Sequence, residues 1–170
     1  MAESKKQDAI ALLKADHDEV QQLFKDFEKA SGNGLKEKLA HKICRELTIH
    51  AMIEEEIFYP ACEGKVEEDL LKEGYVEHDA AKLLIAEIEA GEPSDEFYDS
   101  KVKVLSEEID HHIQEEEKRM EGLFSQARRA GLDMDALGEQ LATRKAELMK
   151  QTESGPLPTP ELTTMDEVSD

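Results

Sequence analysis

"HHIQEEEKRM", residues 111–120, sets two histidines side by side and follows them with three consecutive glutamates. Neighbours on an α-helix point roughly 100° apart, so these residues must divide between a buried and a solvated face. Extending each phase along the chain separates the two. The His111 phase runs Lys101, Val104, Glu108, His111, Glu115 and Lys118, a mostly polar stripe. The His112 phase runs Val102, Leu105, Ile109, His112, Glu116, Met120 and Leu123, an apolar seam with one histidine and one glutamate set into it.

The same pattern recurs upstream. One seam reads Ile10, Leu13, His17, Val20, Phe24 and Phe27; another reads Leu39, Ile43, Leu47, His50, Glu54, Ile57 and Ala61. A third reads Leu71, Gly74, His78, Ala81, Ile85 and Ile88. Each seam is interrupted by one histidine, and two carry a glutamate one turn later. A glutamate four residues from a histidine lies on the same helix face, so one turn can present both side chains.

Turn and capping signals divide the chain into these helices. SGNG (31–34) stops a helix that starts near Lys5. The second helix is expected from about Leu35 to Cys62, with Pro60 near its end, and the third across 66–90. GEPSD (91–95) is a turn whose Ser94 can cap a fourth helix reaching about Ala130, and Asp133 can cap a fifth to about Thr152. Short connections between long helices predict an all-α, up-down-up-down four-helix bundle over residues 1–131. An accessory helix at 132–153 presents Met134, Leu137, Leu141 and Leu148 to the outside of the bundle or to a partner, and 154–170 reads as a flexible acidic tail.

Composition narrows the function. The 170 residues carry a net charge of −20, which repels phosphate backbones and anionic lipid, so neither nucleic acid nor membrane is an expected partner. No leader-like apolar segment opens the chain, and a cytoplasmic protein is expected. On one helix Cys44 and Cys62 would be ~27 Å apart, too far to pair or share a metal.

A lone histidine on an apolar stripe is ordinarily a hydrogen-bonded core residue. Counting residues from the turns, however, places His17, His50, Glu54, His78, His112 and Glu116 within roughly two turns of one layer. A buried, unpaired carboxylate costs several kcal/mol. Divalent metal offsets that cost, and imidazole with carboxylate suits iron, manganese or zinc. Two facing His-x-x-x-Glu turns can place their carboxylates across a pair of ions about 3.5–4 Å apart.

His17, HAMIEEEIFYP (50–60), EHD (77–79) and HIQEEEKRM (112–120) together resemble the hemerythrin-like, or HHE cation-binding, domain over about residues 5–130. The resemblance implies a non-haem centre of two iron ions, carboxylate-bridged and oxo- or hydroxo-bridged, with zinc or manganese as alternatives. It makes His17, His50, His78 and His112 terminal ligands and Glu54 and Glu116 bridges. Oxygen-carrying members have a fifth histidine, in a His-x-x-x-His pair on the third helix; here Gly74 and Lys82 flank His78 at those positions. Water or Tyr75 is expected to fill the remaining position. The resemblance then favours a protein that binds or reacts with O2, nitric oxide or peroxide, in sensing, protection or iron homeostasis, over reversible O2 carriage. The alternative is a non-catalytic metal-responsive module that contacts a protein partner, or a second copy, through residues 132–170.

Ferritin-like sites need two Glu-x-x-His motifs; only Glu108-x-x-His111 fits, out of phase with the seam. His41, nine residues from His50, faces outward. Glu55 and Glu117 border the seams, where they can orient a ligand histidine. His111 replaces His112 at the site if helix 4 carries a π-bulge.

Overall fold

A computed structural model describes residues 6–166. Within them the chain is all-helical. Helix α1 spans Ala9–Lys29. Helix α2 begins at Asn33–Ile53, widens through a π-helical turn at Glu54–Phe58 and closes with Tyr59–Cys62. Helix α3 is Glu68–Ala90, α4 Tyr98–Glu117, α5 Leu123–Arg129 and α6 Met134–Ser154.

The bundle is up-down-up-down, as its two apolar clusters show. One cluster takes Leu13 from the start of α1, Phe58 from the end of α2, Leu71 from the start of α3 and Leu123 from beyond α4. The other takes Phe27, Ile43, Ile88 and Val102 from the opposite ends of the same helices. The buried polar residues His17, His50, Glu54, His78, His112 and Glu116 lie on the helix stretches that join the two.

Several boundaries differ from expectation for local reasons. Asp8 accepts from the Ala11 amide, so α1 starts at Ala9; Lys5 lies outside the described residues. Ser94 does not cap α4: Asp95 takes the Glu92 amide at 2.8 Å and the helix begins four residues beyond Ser94, at Tyr98. The fourth helix does not run on to Ala130. It stops at Glu117, Met120 takes φ 70°, and Met120 is 68% exposed instead of lying on the seam. Gly122 makes this reversal passable, since a Cβ there would sit 2.5 Å from the Lys118 carbonyl oxygen. The chain then lays α5 across the end of the bundle and stacks Phe124 on the His17 ring, 5.8 Å between centroids.

The bulge sits in α2, not in the fourth helix. Pro60 lacks an N–H, and in α-helical register its ring would meet the carbonyl four residues back. The widened turn, in which the Tyr59 amide bonds to Glu54 oxygen, relieves that conflict. Its extra residue shifts the seam: Phe58, Tyr59 and Cys62 are buried where Ile57 and Ala61 were expected.

Asp133 caps α6 through the Ala136 amide at 3.0 Å. The helix lies along α1 and α2 and buries Met134, Leu137, Leu141 and Leu148 within this chain. Complete burial of Leu141 and Leu148 is worth about 1.5–3 kcal/mol each. The stretch read as a free tail makes contacts of its own: Thr163, Thr164 and Met165 donate backbone N–H groups to Asp79 on α3.

Candidate metal centre

The structure brings all six sequence-selected residues together. Donor atoms of His17, His50, Glu54 and Glu116 form one group within 4.8 Å of one another, and those of Glu54, His78 and His112 form a second. Glu54 belongs to both. Glu116 also spans them, since its Oε1 is 3.2 Å from His17 Nε2 and 3.2 Å from His112 Nε2. Nitrogen and oxygen donors about 2.0–2.1 Å from one ion stand roughly 3.0–3.4 Å apart at octahedral to tetrahedral angles. The Nε2 atoms of His17 and His50 are 3.2 Å apart, as are those of His78 and His112.

The opposite ring nitrogens point outward to carboxylates, each supplied by a neighbouring helix. Asp16 of α1 accepts from His50 Nδ1 of α2 at 3.0 Å, and Glu55 of α2 lies 3.4 Å from His78 Nδ1 of α3. Glu77 of α3 accepts from His112 Nδ1 of α4 at 3.1 Å, and Glu117 of α4 accepts from His17 Nδ1 of α1 at 2.7 Å. The contacts close a ring around the bundle. The sequence has a matching two-fold pattern: Asp16-His17 with His50-x-x-x-Glu54-Glu55, then Glu77-His78 with His112-x-x-x-Glu116-Glu117. Glu55 and Glu117 border the seams in the sequence, whereas Asp16 and Glu77 lie off them. Their signal was the acidic residue just before each histidine on the first and third helices.

An ionised carboxylate only accepts, so each Nδ1 bonded to one carries the proton. In the neutral tautomer the inward Nε2 then offers a bare lone pair. Lone pairs of His17 and His50 face each other, and that of His112 faces His78 Nε2, whose Nδ1 lies near Glu55 without a hydrogen bond. Both oxygens of Glu54 and Oε1 of Glu116 are buried without a hydrogen-bond partner of acceptable geometry. Glu54 Oε1 approaches His50 Nε2 to 2.5 Å, but a short distance without that geometry is not a hydrogen bond. Converging acceptors with nothing to share between them fit a cation.

Protonation in the metal-free protein follows the same geometry. Burial pulls the His50 pKa down, but Glu54 and Asp16 outweigh it and raise it to about 10. Burial opposes His112 likewise and is overcome by Glu116 and Glu77, while His17 is raised against burial by Glu116 and Glu117. Burial pushes Glu116 upward, yet His112 and His17 hold it well below the usual carboxylate range. Protons on the imidazoles occupy the positions that the donor set offers a cation.

Tyr59, not Tyr75, fills the space beside Gly74. A Cβ on Gly74 would lie 3.0 Å from the Tyr59 hydroxyl, so this glycine makes room for the phenol. The hydroxyl donates to Glu116 Oε2 at 3.0 Å and lies 3.4 Å from both His78 Nε2 and His112 Nε2. Burial first, then Glu116 and Glu54, hold its pKa well above the ordinary phenol value. The π turn explains its place: residue 59 lies one wide turn beyond Glu54, where a regular helix would put residue 57 or 58. Tyr75, one residue past Gly74, packs edge-on against Tyr59, 5.0 Å between centroids. Helix α4 is regular through Glu117, so His111 does not replace His112; its side chain is 65% exposed. His41 is also exposed.

An up-down bundle whose midsection holds a buried histidine–carboxylate cluster defines a helical cation-binding domain. The Hemerythrin HHE cation binding domain family matches residues 8–124, and the chain belongs to that family. A crystal structure of a hemerythrin HHE cation binding domain-containing protein from Mycobacterium kansasii superposes with a TM-score of 0.73 at 20% identity. The superposition covers 87% of this chain and 91% of that one, and it bears on the fold. A DNA nickase from Nostoc sp. (strain PCC 7120) is 29% identical over 109 residues, which is 64% of this chain and 31% of the nickase. The chain thus matches about a third of that protein's length. Among the described residues no helix is long and apolar enough to cross a membrane.

Proposed function

We propose that the protein is a non-haem di-iron protein that binds or reacts with O2, nitric oxide or peroxide. The observation that supports this most is the inward convergence of four Nε2 atoms on Glu54 and Glu116, with both glutamates reaching both donor groups. Nitrogen and carboxylate donors in this mixture suit iron, with zinc or manganese less favoured. His17 and His50 would hold one ion and His78 and His112 the other, with Glu54 and Glu116 shared between them. Iron bound there supplies redox chemistry toward small oxidants. The chain's own part is to orient the donors, exclude water with the two flanking apolar clusters, and keep the Tyr59 proton directed at Glu116.

The nickase activity of the Nostoc relative is not carried over. The shared region is a minor part of that protein, and a net charge of −20 disfavours a phosphate backbone. The reading places the protein in a reducing cytoplasm, where the buried thiols of Cys44 and Cys62 stay free.

Reconstitution with Fe(II), elemental analysis and an optical spectrum in air test the proposal. The expected result is about two irons per chain with ligand-to-metal charge-transfer absorption. Both should be lost in His17→Ala and Glu116→Ala. Substoichiometric iron that is unchanged in these variants would sink the reading.

A further inference from the structure

A small cavity adjoins the histidine cluster among the four bundle helices. It is lined by Thr48, Met52, Ala81 and Ile85 together with the inner histidines, and its outer wall includes Lys82 and Pro160. Its volume of about 30 Å³ admits a water or a diatomic molecule. Pro160 comes from the C-terminal segment, far from the bundle in sequence.

Asp79 follows His78 on α3 and is wholly buried, although its carboxylate is not part of the histidine cluster. It is covered by residues 163–165. Thr163 N–H donates to Oδ1 at 2.9 Å, and Thr164 and Met165 N–H donate to Oδ2 at 2.6 and 3.0 Å. The Thr164 hydroxyl adds a bond of 2.8 Å. Successive backbone N–H groups turned on one carboxylate form an anion-binding nest. Lys82, also buried, donates to the Glu161 carbonyl at 3.0 Å and pairs with Asp79 and Glu55. The Thr163 hydroxyl donates to Glu55 Oε1, and the other oxygen of Glu55 is the one that faces His78 Nδ1.

We propose that residues 160–165 are a detachable strap that closes this cavity and, through Glu55, positions His78. The strap is held by hydrogen bonds to α2 and α3, and none of the side chains at residues 155–166 is fully buried. Pro160 on the cavity and the partly buried Leu157 on the apolar cluster add to these polar contacts, and a segment without a fully buried side chain opens without unfolding the bundle beneath it. Its release removes Pro160 from the cavity wall and frees Glu55 to swing toward or away from His78. Thr163 is thus a positioning residue for His78, and the strap controls how fast a small molecule reaches the cluster. The inference stands on the cavity and the contacts; its bearing on ligand access to iron rests on the proposed function.

The test separates the two. In the metal-free full chain, diethyl pyrocarbonate modification of each histidine is followed by mass spectrometry, with exposed His41 and His111 as internal references. A chain ending at residue 159, and the full chain carrying Thr163→Val with Thr164→Val, are compared with it. Modification of His78 should accelerate roughly tenfold or more on truncation and by a smaller factor in the double variant, with His41 unchanged. An unchanged His78 rate in both overturns the strap, whatever the iron content. In iron-loaded protein, extraction by a chelator should speed up in the same order with starting stoichiometry preserved. Equal extraction rates in all three chains overturn its control of access.

Discussion

Asp16 joins a cluster histidine to the C-terminal helix. One oxygen accepts from His50 Nδ1 at 3.0 Å and the other from Lys145 Nζ at 2.5 Å, so a carboxylate on α1 ties α2 to α6. Burial opposes ionisation of Asp16, but His50 and Lys145 overcome it and hold its pKa below the ordinary aspartate value. Removing the partner of a metal-ligating histidine typically weakens metal binding about 10–100-fold. Asp16→Ala should fall in that range and Lys145→Met should cost less, since it leaves the Asp16–His50 bond in place. Competition titrations against a chromophoric chelator measure both. An Asp16→Ala affinity within twofold of wild type would show that the contact does not orient His50.

Tyr59→Phe removes a donor from Glu116 Oε2 inside a fully buried site. Leaving that oxygen unsatisfied should cost the metal-free protein about 1–3 kcal/mol, read from urea midpoints. Iron-loaded Tyr59→Phe should also show an altered charge-transfer spectrum, because the hydroxyl is within 3.4 Å of both His78 and His112 Nε2. Tyr75→Phe should leave the spectrum unchanged; identical spectra for both variants would remove Tyr59 from the site.

The seam residues were legible because burial follows helical period: His17, His50, His78 and His112 each take the position of an apolar residue, and each is buried. Tyr59 was not legible, because one extra residue in a π turn changes which side chains share a face and the 3-4 count assumes there is none. Pro60 was the visible warning. The reversal at Met120 was hidden for a related reason: HHIQEEEKRM continues a helical pattern, and only the close approach of Gly122 to Lys118 ends it. The strap on Asp79 left no periodic trace, since it is gripped by backbone N–H groups, which every residue but proline possesses.

Gly122 is accordingly a position where adding one methyl should matter. Its Cβ would meet the backbone of Lys118 at 2.5 Å and the carbonyl of Glu116 at 2.7 Å, and backbone cannot step aside as a flexible side chain can. Gly122→Ala should destabilise the protein by about 1–3 kcal/mol. Displacing the Glu116 carbonyl should also weaken metal binding. Gly34→Ala, with open space around it, should stay within about 0.5 kcal/mol of wild type. Equal urea midpoints for the two variants would mean that the reversal has room to spare.

The stability advantage of the metal-loaded over the metal-free form should grow as pH rises. His50 is raised from 6.5 to about 10 in the metal-free fold, against burial, by Glu54 on its own helix and Asp16 from α1, with His17 Nε2 facing it at 3.2 Å. A group whose folded pKa is raised contributes its full stability below about 6.5 and loses it as pH climbs through about 10. Glu116, held low, contributes above its ordinary value of 4.5 and loses that contribution as pH falls below it. Metal-free protein should therefore be most stable between these limits and lose Tm as pH rises from about 7 toward 10. A cation competes with the same protons, so its affinity should rise over that window, and with it the stabilisation conferred by bound metal. Calorimetry at about pH 6.5, 8 and 9.5, with chelator or with a fixed excess of metal, measures the Tm difference between the two forms. The difference should widen with pH. A difference that narrows would mean that protons and cation do not compete for the inward nitrogens of His17, His50 and His112.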